Sequence, residues 1–189
     1  MLVVCGIDYS LTSPAIAVHS GATWSPSNCV FYYMAHKAKR LVITDQFKGT
    51  MYPKYDSDTH RYDNLANWSQ SILSSSGVQS AFLEGYAFGA VGRVFQIAEN
   101  AGLLKYNMWK NDIPFSVFAP SEIKKHATGK GNATKEMLCD AFMEETSIDV
   151  RDILDITNKN DWNPLSDIVD SYYIAKLGFM KESESANHP

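Results

Sequence analysis

The sequence predicts an α/β fold: a mixed sheet of five strands with helices packed against it. Three observations carry this. Two short apolar runs, Leu2–Asp8 and residues 79–84, each end in an acid and read as buried strands. Residues 14–19 and the β-rich run 29–34 (Cys-Val-Phe-Tyr-Tyr-Met) follow the first strand with only turn-like residues between, which gives an antiparallel meander. Beyond residue 59, helical and strand patterns alternate, and such an order builds a mixed sheet covered by helices.

Taken in order, residues 10–13 form the turn after the first strand. Residues 35–58 are basic and irregular, with Gly49 and Pro53, and read as an exposed loop or an extra hairpin. Residues 59–74 place Leu65, Trp68 and Ile72 on one helical face, and Gly77 follows. A long helix is expected over 91–110 and a fifth strand over 114–119. Pro120 can open a short helix, residues 128–132 form a glycine-containing loop, and residues 133–145 are helical. Residues 149–163 are polar and loosely structured. The last helix spans 164–180, carrying Leu165, Ile168, Val169, Tyr172, Tyr173, Ile174 and Leu177. The chain is expected to be one domain over 1–180 with a flexible tail over 181–189.

With 189 residues, the chain can bury a core without disulfides or a structural metal. Cys5, Cys29 and Cys139 are isolated and odd in number, so reduced thiols are expected, and the scattered histidines suggest no zinc site. No apolar run is long enough to cross a membrane, and the N-terminal run has no basic flank, so a soluble, cytoplasmic protein is expected. The net charge of -4 argues at first against a nucleic-acid partner, but the charge is polarised. Residues 37–54 hold five bases (Lys37, Lys39, Arg40, Lys48, Lys54) against Asp45. Residues 105–135 hold six lysines against Asp112 and Glu122, whereas ten acids face four bases from Glu144 onward. Blocks of charge are often no more than solvated faces.

The chemistry is carried by carboxylates. Asp8 and Glu84 each end a strand, and neighbouring strands can present such ends at one edge of a sheet. Asp167 and Asp170 stand at i, i+3 on the last helix and share a face that is otherwise apolar. Burial and mutual repulsion both oppose carboxylates there. Mg²⁺ or Mn²⁺ resolves the conflict, because hard divalent cations take carboxylate oxygens. Two ions about 4 Å apart can hold the attacking water and the leaving oxygen of a phosphodiester. A lone strand-end acid is usually a turn former; it is the conjunction of four that points to a site.

At this point the chain resembles a known family. Gly6-Ile-Asp8-Tyr-Ser-Leu-Thr-Ser-Pro-Ala-Ile-Ala resembles the first strand and turn of the RuvC-type Holliday junction resolvases. Phe82-Leu-Glu84-Gly-Tyr86 resembles their second acidic motif, and Asp167-Ile-Val-Asp170-Ser-Tyr-Tyr-Ile-Ala their final helix. Ala119-Pro120-Ser-Glu-Ile-Lys124-Lys-His-Ala-Thr-Gly129-Lys-Gly131-Asn-Ala-Thr-Lys135-Glu resembles their lysine–glycine segment. The four matches run in family order from residue 3 to residue 177, and the lysine–glycine segment is the most specific of them.

The resemblance implies an RNase H-like fold, a homodimer, and cleavage of four-way DNA junctions with two Mg²⁺ ions per site, Mn²⁺ substituting. Asp8, Glu84, Asp167 and Asp170 match the family's metal ligands, and Lys124 and Lys135 its two lysines. Lys135 falls in a helical first turn, where N–H groups favour a phosphate and a lysine adds a mobile charge. Lys125 and Lys130 of the same segment, together with Lys37, Lys39 and Arg40, are expected on DNA phosphates. Tyr86 and Phe88 follow Glu84, where the family places an aromatic that stacks on bases; the residues do not decide between them. The family dimerises through the helix corresponding to 91–110, here carrying Ala98, Ala101 and Gly102.

There are departures. The basic segment 37–54 is expanded, Ser171 stands where alanine is usual, and Pro164-Leu-Ser166 replaces the usual neighbourhood before the final acids. Such divergence resembles phage or plastid-type relatives more than a standard bacterial enzyme. The alternative within this fold is a less selective nuclease acting on forks, flaps or RNA–DNA hybrids. An actin-like phosphotransferase needs two such domains, and a catalytically dead DNA-binding module would not keep all four acids. Nor is the lysine–glycine segment a Walker A loop, since Thr134 stands where glycine is required.

Overall fold

The computed structural model describes residues 2–85 and 92–187. The strands are β1 (Leu2–Asp8), β2 (Ala15–Gly21), β3 (Cys29–Ala35), β4 (Phe47–Met51), β5 (Ser80–Glu84) and β6 (Phe115–Phe118). The helices are α1 (Asp58–Ser75), α2 (Val94–Lys110), α3 (Pro120–Thr128), α4 (Lys135–Thr146), the single-turn α5 (Val150–Ile153) and α6 (Leu165–Asn187). The sheet runs β4-β3-β2-β1-β5-β6. β1, β2 and β3 form the expected antiparallel meander, whereas β5 and β6 extend the sheet in parallel from β1.

Alternation along the strands sorts the core into two layers. Val3, Cys5 and Ile7 face α1 and α2, packing with Ile72, Leu73, Leu104 and Met108. Val4 faces the other way, with Phe82, Phe118, Phe142 and the apolar side of α6. The same parity puts Asp8 and Glu84 on the α6 side, two residues beyond Gly6 and Phe82.

α6 lies against β1 with no room to spare. A Cβ on Gly6 would stand 2.2 Å from the backbone of both Ser171 and Ala175. A Cβ on Gly178 would meet the ring of Phe82 at 2.0 Å. Ser171, in place of the usual alanine, fits this seam because its hydroxyl donates to the Ile168 carbonyl at 2.7 Å and is wholly buried.

Four expectations are corrected. The sheet has six strands, not five: the segment 35–58 contributes β4, parallel to β3. Phe47 buries its ring on Phe31 at 5.1 Å, and Gly49 leaves space for Tyr33, whose hydroxyl donates to the Arg40 carbonyl and accepts from Val42 N–H. Next, α6 does not stop at 180 with a loose tail; it continues to Asn187. No glycine or proline intervenes, Ser183 donates to the Phe179 carbonyl at 2.8 Å, and Lys181 pairs with Glu122. Residues 149–163 are less loose than expected: Asp149 caps α5 by accepting from the N–H groups of Arg151 and Asp152. Finally, the small residues of α2 do not share one open face: Ala101 is 8% exposed and lines a cavity with Asp8 and Leu83, whereas Gly102 lies open.

The Gly6 contact yields a direct test. Gly6→Ala sets a methyl against helix backbone that cannot move aside, so the loss should reach or exceed the roughly 1–3 kcal/mol typical of overpacking. Urea unfolding of this variant should show it; an unchanged midpoint would mean that α6 is not seated as described.

Candidate active site

The register of the sheet assembles the first pair of acids. β1 and β5 are parallel neighbours with Ile7 opposite Leu83, so Asp8 and Glu84 emerge side by side at the carboxyl edge. The Gly6 contact then sets the opening turns of α6 beside that edge. Asp167 lies in the first turn, where the helix N-terminus favours a negative charge, and Asp170 follows one turn later.

The four carboxylates feel one another. Burial raises the Asp8 pKa well above the ordinary carboxylate range, and Asp167, Asp170 and Glu84 raise it further. Asp170 is pushed up to about 7 by burial, then by Glu84 and Asp167. Asp167 is raised by burial and held back by a hydrogen bond from Ser13, whose Oγ donates to its Oδ2 at 2.8 Å. Glu84 keeps exposed surface, yet enough protein surrounds its carboxyl that desolvation raises it too.

Two lysines oppose this. Lys135 opens α4, is 3.2 Å from Ser166 Oγ as donor, and lowers the pKa of all four acids. Lys124, on α3, acts on Glu84 and Asp170. The glycines between them have physical work: Gly129 closes α3 in the left-handed conformation at φ 76°, which turns the chain toward α4.

Oxygen donors with excess negative charge fit a hard divalent cation. Among the described residues, no three histidine, cysteine, aspartate or glutamate side chains stand ready-made as a coordination cage. One oxygen of Asp167 is turned onto Ser13.

The other expected site residues are not gathered here. Lys125 and Lys130 are exposed on α3 and on the turn after it. Lys37 and Arg40 both pair with Asp161, at 2.9 and 2.8 Å, and Lys39 pairs with Asp155 at 3.0 Å. Arg40 is only 3% exposed, which corrects its assignment to a phosphate contact: its charge is committed inside the protein. Tyr86 and Phe88 lie outside the described residues. The sequence reading missed Ser10, Ser13 and Ser166 as supports of the acids and of Lys135. Their only signal was position, two in the turn after Asp8 and one directly before Asp167. Beside Asp8 and Glu84 opens a cavity of about 430 Å³, walled by Leu11, Leu83, Val94, Ile97 and Ala101.

No protein-family model matches the chain, and neither does any curated protein. Solved structures do. Thermus thermophilus RuvC superimposes with a TM-score of 0.58 over 94% of this chain and 97% of its own, at 16% identity. The chain has the RuvC-type, RNase H-like fold. The fowlpox virus resolvase, solved with its substrate Holliday junction DNA, gives a TM-score of 0.52 over 96% and 98% at 15% identity. The yeast mitochondrial Holliday junction resolvase Ydc2 gives 0.52 over 91% and 75% at 11% identity.

The raised carboxylates make stability depend on pH with a definite sign. Asp170 titrates near 3.8 when unfolded and near 7 when folded, so the folded state binds the extra proton between those values. Metal-free protein is expected to lose stability as pH rises from about 4 to about 7. Asp170→Asn should flatten this slope, and Mg²⁺ should raise the Tm more at pH 8 than at pH 5. Thermal melts across pH that stay level without metal would contradict the cluster.

Proposed function

We propose that this protein is a divalent-metal-dependent endonuclease that resolves four-way DNA junctions by paired nicks. The observation that supports it most is the convergence of Asp8, Glu84, Asp167 and Asp170 with Lys135 at the carboxyl edge of β1 and β5, on a RuvC-type fold. Asp8, Glu84, Asp167 and Asp170 would hold two Mg²⁺ ions, with Mn²⁺ substituting. When bound, the ions supply an activated water and charge neutralisation for phosphodiester hydrolysis.

The chain's own residues divide the remaining work. Asp8 and Glu84 are fixed by the sheet, and Asp167 and Asp170 by the helix, so the anionic cradle is rigid on both sides. Lys135 and Lys124 bring positive charge to where a phosphate must approach the four acids. Ser166 orients the Lys135 ammonium, and Ser13 holds one oxygen of Asp167. Lys125 and Lys130 extend the basic surface away from the site as contacts to the DNA backbone.

Asp8→Asn, Glu84→Gln and Asp170→Asn should each lower cleavage of a synthetic four-way junction by at least about a thousandfold, while junction binding in Ca²⁺ persists. The panel includes fork, nicked duplex and plain duplex. Full activity in EDTA would sink the mechanism. The less selective reading has one observation in its favour: Lys37, Lys39 and Arg40 spend their charge on Asp155 and Asp161. Equal cutting of forks and junctions would decide for it.

Paired nicks on strands related by two-fold symmetry call for a symmetric dimer. The outer face of α2 offers the surface. Phe95 and Trp109 are 80% and 70% exposed, and with Gly102 they repeat at seven-residue spacing; Tyr106 stands beside them. Gly102, open to solvent, lets a second copy of the helix approach closely. Gly102→Arg should give a monomer by sedimentation that still binds DNA but nicks only one strand per encounter. A parent protein that sediments as a monomer both free and on DNA would remove the dimer.

A further inference from the structure

The residues from β3 to α1, which include the segment the sequence marks as a basic insertion, do something other than bind a phosphate. They grip the turn between β1 and β2, carbonyl by carbonyl. Tyr52 follows β4; its hydroxyl donates to the Leu11 carbonyl. Arg61, on α1, donates to the same carbonyl through Nη2 and to the Tyr52 hydroxyl through Nε at 2.9 Å. His36 donates from Nε2 to the Thr12 carbonyl at 2.8 Å and stacks on the Tyr52 ring with centroids 4.3 Å apart. Met34 N–H donates to the Pro14 carbonyl at 3.1 Å. Ser13 N–H donates to Ser10 Oγ at 3.0 Å.

Every residue from 11 to 14 is thus tied, and the residue in the middle of the grip is Ser13. Its hydroxyl donates to Asp167 Oδ2 at 2.8 Å, and it is 1% exposed. The peptides of Leu11 and Thr12 cannot rotate without breaking a bond to Tyr52, Arg61 or His36, so the backbone that carries Ser13 toward Asp167 is held in place. Arg61 and Tyr52 are themselves held on several sides. Both are buried, Arg61 also lies over the Tyr55 ring at 4.8 Å, and the Tyr52 ring packs with Met34 and Leu65.

We infer that Tyr52 and Arg61 are positioning residues for Asp167, acting through Leu11 and Ser13 to set which carboxylate oxygen faces the metal. This rests on reading Asp167 as a metal ligand. Partners in the shell around a metal ligand commonly govern affinity by 10–100-fold, and one bond further out the effect should be smaller.

The test uses the full chain and Mn²⁺ alone, read by the electron paramagnetic resonance of the free ion, so no DNA is needed. Tyr52→Phe keeps the ring and removes the hydroxyl. It should weaken Mn²⁺ binding about five- to tenfold while junction affinity in Ca²⁺ stays within about twofold. Ser13→Ala should weaken it at least as much. Because the brace acts through Ser13, the double variant should be no worse than Ser13→Ala alone. Unchanged Mn²⁺ binding in Tyr52→Phe overturns the inference, as do additive losses in the double variant. If the parent binds Mn²⁺ but cuts no junction, the nuclease reading falls while the brace stands on the titration. If the parent cuts and Tyr52→Phe titrates like it, the brace falls alone.

Discussion

The seat of α6 on β1 is the contact on which the rest depends. At Gly6 two backbones meet with no side chain between them, and at Gly178 the helix takes in the ring of Phe82. Two such points, roughly one and a half helical turns apart, fix both the distance of the helix from the sheet and its rotation about its own axis. Only with that rotation fixed do Asp167 and Asp170 face the strand ends rather than solvent. The sheet contributes the complementary half through parity: Gly6 and Asp8 share a side, as do Phe82 and Glu84, so the helix that covers the first of each pair meets the second.

Assembling the site works against the stability of the metal-free protein. Each carboxylate is desolvated, and each is raised further or held in check by its neighbours rather than left alone. Lys135, Lys124, the serines and the N-terminus of α6 offset part of this. A fold that collects like charges in partial burial and supplies few counter-charges is the electrostatic setting in which a bound cation would complete the compensation. Lys135 is the one cation that acts on all four acids.

Much of this was legible in the sequence, and the parts that were not share a cause. β1 and β5 could be read because buried parallel strands are continuous apolar runs, and their terminal acids stood out against them. α6 could be read because Leu165 to Leu177 keep helical spacing. β4 was missed because Phe47-Lys-Gly-Thr-Met51 has only one well-buried residue, and its pairing depends on Gly49 meeting the distant Tyr33. Beyond Met180, α6 also makes an ion pair with Glu122, far away in the chain. Ser13 looked like a turn former because its partner is 154 residues on. Local pattern carried the elements; long-range partners, which no local pattern records, carried the supports of the site. The inward turn of Ala101 is a different failure: small residues mark close approach without saying what approaches.

The charge pattern had to be reread for the same reason. The basic block at 37–54 and the acidic stretch after Glu144 look like two separate faces in the sequence, one suited to DNA and one not. In the fold they meet: Lys37 and Arg40 on Asp161, Lys39 on Asp155. That pairing holds the crossover before β4 against the loop that leads into α6. Part of the sequence polarity is therefore internal, and because three bases are matched there with two acids, the pairing leaves the remaining surface no less acidic than the net charge of -4 suggests. Lys124, Lys125, Lys130 and Lys135, by contrast, make no ion pair among the described residues. They stand on α3, the turn after it and the start of α4, on the side of the sheet that carries the four carboxylates. These four lysines therefore stand as unpaired cations next to the acids, and the separation of holding charges from pairing charges is achieved by the fold.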